Sequence, residues 1–584
     1  MSDRWAVALA FSAAVGAVAS RPMPLWLGVV LVLVALAGRR PALLCLGAVV
    51  LCSSLGARSH AGLRPPEPGT PVRAHATLVT DPVDVDGALR AELRLGSRRV
   101  EAWARGSPAS ALRPLLAGET VEVAGRLSAV PARSRAYLVR RHVAARLTVT
   151  SAEHPGAGGA VARLANDVRR TLLRGTTSFG DSERALFAGF VLGDDRDQDP
   201  VSVDDFRAAG LTHLLAVSGQ NVAFVLALAA PVLRFLGLRG RLIAGVLILF
   251  GFGVLTRWEP SVLRASMMAA VTLLAATLGR PASTLRVLAL AVTVLLVIDP
   301  LLVGSVGFLL SCGACAGIAV LAGPLSRRMP MALAVTVAAQ VGVAPVLVPV
   351  FGGLPVASIP ANLLAVPAAG PVMVWGLVAG LPAGLLGEPI ATVVHLPNRS
   401  LVRWIAGVAR WAASLPLGQL GAGHVVALCV LAAVAWRRRL RPAAAALAVL
   451  VCLLPMVRPG PPADGRSLGG DAQLWRDGAA TVLVVGRPRP GPLLGALRMA
   501  GVRGISVVAL ASPSRSAKAD LDTVLTRHRA GLVLTPADTV PGAVVTAGRL
   551  RVIVRSTAPR LVVEVGTCAR ERPCPPAGDP PLRR

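Results

Sequence analysis

The sequence predicts a polytopic α-helical membrane protein that carries two soluble attachments. Three observations predict it. Of 584 residues, 54% are hydrophobic and only 16% charged, against about 25% charged in a soluble protein. Mean hydropathy is +0.63, which also rules out disorder, because disorder needs low hydrophobicity. Apolar runs fill residues 1–60 and 212–457, enough for about 12–13 spans, whereas residues 63–150 and 459–584 are polar and patterned differently. Basic residues outnumber acidic ones by 61 to 31, a formal charge of +30. Lys518 is the only lysine; a GC-rich genome would produce that bias, so arginine over lysine carries no functional weight. The excess itself suits anionic partners such as lipid headgroups or nucleic acid.

The first three runs are Trp5–Ser20, Pro24–Gly38 and Ala42–Ala57. Further spans follow at once, so the first reads as a retained anchor rather than a cleaved signal. Arg39 and Arg40 place the second loop in the cytoplasm, and the third span delivers the chain outside. In residues 63–150 the period turns to two. Val72–Leu78, Leu89–Leu95, Thr120–Leu127 and Ala144–Val149 alternate as half-buried strands do, and several short strands in one stretch suit a small closed barrel. Trp103 and Tyr137 are its only large stacking aromatics, few for a platform gripping a single strand; passive scaffold and DNA contact are both open. In the 151–211 linker, Val161–Leu173 is apolar at helical spacing beside Arg163, Arg169 and Arg170. It suits either a helix in the headgroup plane or an ordinary linker helix.

The second membrane block gives spans near 213–233, 240–256, 261–278, 284–298, 301–322, 332–351, 355–380, 389–413, 423–436 and 442–457. With the barrel outside, alternation puts Arg234, Arg239, Arg241, Arg280, Arg327–Arg328 and Arg437–Arg441 all inside, as the positive-inside rule expects. Asn398, Arg399, Arg403 and Arg410 make 389–413 a poor span. The alternative reading is a surface-lying amphipathic helix, in which case a re-entrant segment within Ser358–Val374 restores parity. Pro345, Pro349, Pro355, Pro360, Pro367 and Pro371 predict broken helices, which are tolerated at membrane depth only where they are buried or line a cavity; packing kinks are the plainer alternative.

Polar residues concentrate at the start of this block, in His213-Leu-Leu-Ala-Val-Ser218-Gly219-Gln220-Asn221. Such groups inside a bilayer usually face an interior, a partner or water, and polar packing between helices is the competing reading. No acid is placed to orient His213 and no nucleophile elbow appears, so a hydrolase is disfavoured. Cys45, Cys52, Cys312, Cys315, Cys429 and Cys452 sit in apolar runs and read as small hydrophobes, since Cys312-Gly-Ala-Cys315 lacks the second half of a zinc site. Cys568 and Cys574 lie in a polar tail, open to a disulfide if that tail faces outward.

These patches resemble the ComEC family of competence DNA-uptake channels. The resemblance rests on the Gly193-Asp194 approach, the His213-to-Gly219 core, Pro260-Ser-Val-Leu-Arg264-Ala, Asp299-Pro300, Val306-Gly-Phe-Leu-Leu-Ser311 and Ala361-Asn362-Leu-Leu-Ala-Val-Pro367. It covers most of residues 180–380. It departs at Gln220-Asn221, where a common form of the core continues Leu-His. The resemblance implies an extracellular OB-like barrel at 63–150 and a competence channel at 212–457 that passes transforming DNA across the cell membrane as a single strand. His213, Ser218, Gly219, Gln220, Asn221, Arg264 and Asn362 are then the pathway candidates. It implies as partners single-stranded DNA, a DNA receptor protein, a cytoplasmic ATPase or helicase, membrane lipids and further copies of the chain. No ATP-binding loop is present in the sequence, so energy is expected from a partner ATPase or an ion gradient. A transporter of another anionic substrate, such as a lipid or polymer precursor, is the alternative.

Residues 459–584 resemble a shortened metallo-β-lactamase-like domain, extracellular like the barrel. The family's Thr-His-Pro-His-Ala-Asp-His motif falls on Ala511-Ser512-Pro513-Ser514-Arg515-Ser516-Ala517. Ser512, Ser514, Ser516 and Ala517 thus occupy vacated metal positions, and serine and alanine supply neither imidazole nor carboxylate. A degenerate domain without metal, cofactor or nuclease activity is expected.

Overall fold

The computed structural model describes residues 2–434 and 465–567 except Pro66, Asp86, Pro281, Pro416 and Arg503, together with 447–448, 450–452 and 454. Arg437–Arg441, most of the expected 442–457 span and Cys568 and Cys574 lie outside them. The protein is mostly helical. Among the described residues six helices are long and apolar enough to cross a membrane: Pro41–Ala61, Leu238–Leu255, Pro260–Thr277, Val306–Ser326, Met331–Phe351 and Ser358–Leu386. The chain divides into two units. One holds Met1–Asp197, Ala209–Leu415 and Gln419–Cys429; the other joins Gln198–Ala208 and Pro416–Gly418 to the chain from Val430 onward.

In the first unit, α1 (Asp3–Ala19), α2 (Leu25–Ala37) and α3 (Pro41–Ala61) follow the expected runs. They approach backbone to backbone: a Cβ added at Gly28 would lie 2.8 Å from Leu51 N, and one at Gly47 2.9 Å from a Val32 methyl. Lipid offers helices no hydrophobic drive to associate, so small residues that permit close contact decide such packing.

A β-rich region follows, with β1 (Pro71–Leu78), β2 (Val83–Val85), β3 (Ala88–Leu95), β4 (Arg98–Ala104), β5 (Thr120–Ser128) and β6 (Val143–Gly156), and α4 (Ser107–Leu112) and α5 (Ala132–Val139) between them. The strand order is β1-β5-β6-β4-β3-β2, and β1 also pairs with β3 through Ala76–Leu78. All pairs are antiparallel except β4–β6. Leu78, Leu93, Val123, Ala145 and Leu147 fill the centre. The sequence pattern hid β4 because both of its faces are covered: Val100, Ala102 and Ala104 enter the core, and Glu101 is buried on the opposite face. Glu92 of β3 stands opposite Glu101 of β4, both buried. Arg141 bonds the first at 2.5 Å and Arg146 the second at 2.7 Å. Buried carboxylates persist only when paired in this way.

Then come α6 (Ala160–Arg174), α7 (Asp181–Leu192) and α8 (Pro200–Ala208). Helix α6 corrects the headgroup-plane reading: Arg169 is 1% exposed, and Leu172 reaches Gly380 of the membrane block. Helix α7 escaped the periodicity because Ala185–Leu192 is buried without interruption, and a helix apolar all round has no polar face to reveal it.

The membrane block contains α9 (Gly219–Leu233), α10 (Leu238–Leu255), α11 (Pro260–Thr277), α12 (Thr284–Ile298), α13 (Val306–Gly317), α14 (Gly323–Ser326), α15 (Met331–Phe351), α16 (Ser358–Leu386), α17 (Ile390–Ser414) and α18 (Ala422–Val434). A π-turn over Ile318–Ala322 joins α13 to α14. The expectation of broken helices is overturned. Pro345 and Pro349 lie inside α15, and Pro367, Pro371 and Pro382 inside the 29-residue α16. The re-entrant segment expected within Ser358–Val374 is therefore continuous helix. Helix α17 buries one stripe, including Ala391, His395, Asn398, Val402, Ile405 and Ala409, against α16, while Arg399 and Arg403 reach Glu183 of α7. The α16–α17 pair is bracketed by a short ladder. β7 (Leu354–Pro355) before it pairs with β8 (Gln419–Leu420) after it, so the chain leaves the pair where it entered.

The second unit has a five-stranded sheet ordered β13-β12-β11-β10-β9, with β9 (Arg466–Gly469), β10 (Ala472–Asp477), β11 (Ala480–Val485), β12 (Ile505–Leu510) and β13 (Ala530–Leu534). On one face α19 (Pro490–Met499) and α20 (Arg515–Leu525) bury Leu494, Leu497 and Leu521 over Leu483 and Val508. The other face carries a second sheet of β14 (Val544–Ala547), β15 (Leu550–Ser556) and β16 (Val562–Thr567), with Leu550 and Val552 on Val482 and Val507. Helix α8 folds into this unit: Arg498 pairs with Asp204 at 3.3 Å and Arg527 with Asp205 at 2.9 Å.

Candidate functional site

The polar motif is not the start of a helix, as its sequence suggested. Thr212–Leu214 makes one 3-10 turn, and α9 begins only at Gly219, with extended Ser218 as its N-cap. Leu211, Leu214, Leu215 and Val217 are buried and anchor the segment, whereas His213 and Gln220 are exposed. The Ser218 hydroxyl does not cap the helix; it donates to Asn221 Oδ1 at 3.3 Å. Asn221 in turn donates to the Phe190 carbonyl of α7 at 3.2 Å. Ser218, Gln220, Asn221 and Phe224 line a crevice of about 10 Å³, room for roughly one water.

Arg264, one turn into α11, is 5% exposed. Its Nε donates to Ser311 Oγ at 2.7 Å and Nη1 lies 3.0 Å from Met268 Sδ. Nη2 lies against the start of α9, where a Cβ added to Gly219 would sit 2.5 Å away. The structure thus unites Ser218, Gly219, Gln220, Asn221 and Arg264 around one helix end. Asn362 stands apart, donating to its own helix at Ser358 O (2.7 Å), while Gln340 of α15 donates to Ser358 Oγ (3.0 Å). Gly210 backs directly onto Ser358, which ties that cluster to the start of the motif.

A second polar assembly escaped the sequence reading. Arg169 Nη2 donates to Asp81 (3.1 Å) and Asp194 (3.0 Å), and Nη1 to the carbonyls of Leu192 (3.0 Å) and Leu255 (2.9 Å). Arg257, held at a left-handed φ of 61°, bonds Asp81 at 3.0 Å and Asn166 at 2.8 Å. Arg196 chelates Asp194. Burial alone would raise the Asp194 carboxyl, but the Arg196 hydrogen bond and the charges of Arg196 and Arg169 hold it at about 2. The same opposition of burial against Arg169 and Arg257 leaves Asp81 below its ordinary value. These partners come from the β-rich region, α6, the Gly193-Asp194 approach and the end of α10. The one signal available beforehand was Arg169 itself, a charge on the stripe of Ala165 and Leu172.

Residues 190–442 match the family described as Competence protein. That interval contains the motif, Arg264, Ser311 and Asn362. The resemblance to that family is confined to this interval, less than half of the chain. A stretch of 238 residues is 26% identical to ComE operon protein 3 of Bacillus subtilis (strain 168), covering 40% of this chain and 30% of that protein. The matched stretch therefore spans less than a third of that relative's length. No solved structure matches the chain.

Proposed function

We infer that the protein passes single-stranded transforming DNA across the cell membrane during natural competence. The observation that carries this reading is the coincidence of the competence region with the buried polar assembly at the start of α9. Five of the seven candidate residues converge there, in a block whose neighbours are apolar helices. The β-rich region supports an OB-like barrel. Its pairing returns to β1, and its one parallel contact joins the third and fifth long strands, β4 and β6. The C-terminal unit supports a degenerate metallo-β-lactamase-like domain. Its vacated positions form a hydroxyl chain, Ser512 to Ser514 at 3.1 Å and Ser514 to Ser516 at 3.4 Å, and Ser514 caps α20 by accepting from the Ala517 N–H. Those hydroxyls serve a helix terminus, a structural role that needs no metal. The domain is read as non-catalytic, and a separate nuclease removes the discarded strand. A receptor protein would deliver the DNA and a cytoplasmic ATPase or helicase, or an ion gradient, would drive it.

Deleting the gene and measuring entry of labelled DNA tests the reading: entry should fall to background and return on complementation. Asn221→Leu should block entry while its membrane level stays near wild type. Normal uptake in the deletion strain, accompanied by an envelope defect, would instead favour transport of another anionic substrate. Stoichiometric zinc or manganese on the purified full chain, with metal-dependent cutting of DNA, would overturn the non-catalytic assignment.

A further inference from the structure

We propose that Arg264 and the first turn of α9 form a binding site for a single phosphodiester group of the passing strand. The proposal rests on the DNA reading above and deepens it. A guanidinium buried to 5% exposure in an apolar block is costly unless an anion compensates it. Arg169 shows the usual solution, two carboxylates on one guanidinium. Arg264 has none: its partners are a serine hydroxyl and a thioether sulfur, and no carboxylate pairs with it among the described residues.

Its unbonded edge is directed at the N-terminus of α9. Nη2 occupies space that any side chain at Gly219 would fill, since the nearest approach of an added Cβ is 2.5 Å. Helix α9 runs 15 residues without a side-chain cap, because Ser218 turns its hydroxyl to Asn221 and Asn221 turns its amide to Phe190. The Asn221 N–H is taken by the Ser218 carbonyl at 3.1 Å, which leaves the Gly219 and Gln220 amides to an external acceptor, and the helix dipole favours negative charge there. A fixed cation and an uncapped helix N-terminus converge on one point. Ser311 and Met268 fix two edges of the guanidinium and leave the third for the ligand. A phosphate oxygen suits this arrangement because a guanidinium and backbone N–H groups can bond it together. The contact is to the backbone, so it carries no base preference.

The test is binding of labelled dT12 to the full chain in neutral detergent across a salt series, with inorganic phosphate as competitor. Arg264→Gln should weaken binding about tenfold and lower the slope of log affinity against log salt by about 0.7, the value of one single-strand phosphate. Gly219→Ala keeps the charge but displaces the guanidinium, and should weaken binding several-fold; Arg264→Lys should fall between wild type and Arg264→Gln. Monodisperse Arg264→Gln or Gly219→Ala protein with wild-type affinity and slope overturns the site and leaves the DNA reading intact. Arg264-dependent binding of inorganic phosphate without any binding of dT12 supports the anion site and sinks the DNA reading. Binding of neither sinks both.

Discussion

Two buried arginines show how one residue type serves two ends. Arg169 is neutralised by Asp81 and Asp194 and holds separate segments together, whereas Arg264 keeps its charge uncompensated by carboxylate. Removing Arg169 leaves two buried carboxylates without their shared cation, so Arg169→Ala should cost about 3–5 kcal/mol, read as loss of thermal stability in detergent. The same assembly sets an acid limit. Asp194 sits at about 2 in the folded protein against 3.8 ordinarily. A depressed carboxyl stabilises the fold above its unfolded value and loses that contribution as pH falls through its folded one. Asp194 should thus supply about 2 kcal/mol above pH ~5 that vanishes between pH ~4 and ~2. Asp194→Asn should flatten the acid side of the stability profile, and an unchanged profile would refute the assignment. At this scale the sequence exposed the motif, because polar residues are conspicuous in an apolar run. It hid the Arg169 assembly, whose partners Asp81 and Arg169 lie 88 positions apart, and Asp81 and Arg257 176 apart.

Element boundaries were legible wherever one period held. The first three helices and β1, β3, β5 and β6 fall on their expected runs. Elements buried on both sides were missed: α7, whose Ala185–Leu192 is buried throughout, and β4, whose Glu101 is buried opposite the core face of Val100 and Ala102. Proline was misread for a physical reason. It removes one backbone bond and kinks a helix, yet α16 continues through three prolines in one 29-residue helix. Helix contacts instead turn on glycine. Gly342 of α15 meets Gly313 and Gly317 of α13 backbone to backbone. Gly342→Val should therefore overpack that crossing and cost about 1–3 kcal/mol, whereas Gly323→Val enters open space and should be tolerated. Comparable melting temperatures for the two variants would show that the crossing is not so tight.

For the whole molecule, the closed ladder between β7 and β8 determines how crossings are counted. Because the chain leaves the α16–α17 pair where it entered, that pair contributes an even number whether or not it spans. The re-entrant device expected to restore parity is unnecessary. From the arginine distribution alone we expect the C-terminal domain on the exterior. A reporter fused after Arg584 should be active only in its extracellular form; cytoplasmic activity would reverse the assignment. Helix α8 also carries a consequence for biosynthesis. Asp204 and Asp205 emerge from the ribosome about 290 residues before Arg498, a delay of about 15–60 s at ordinary elongation rates. Until then the helix has neither its cations nor its apolar floor. Completion of the last domain is thus reported back to the segment just ahead of the motif, and nascent chains stopped short of it will present an unfinished α8 to quality control.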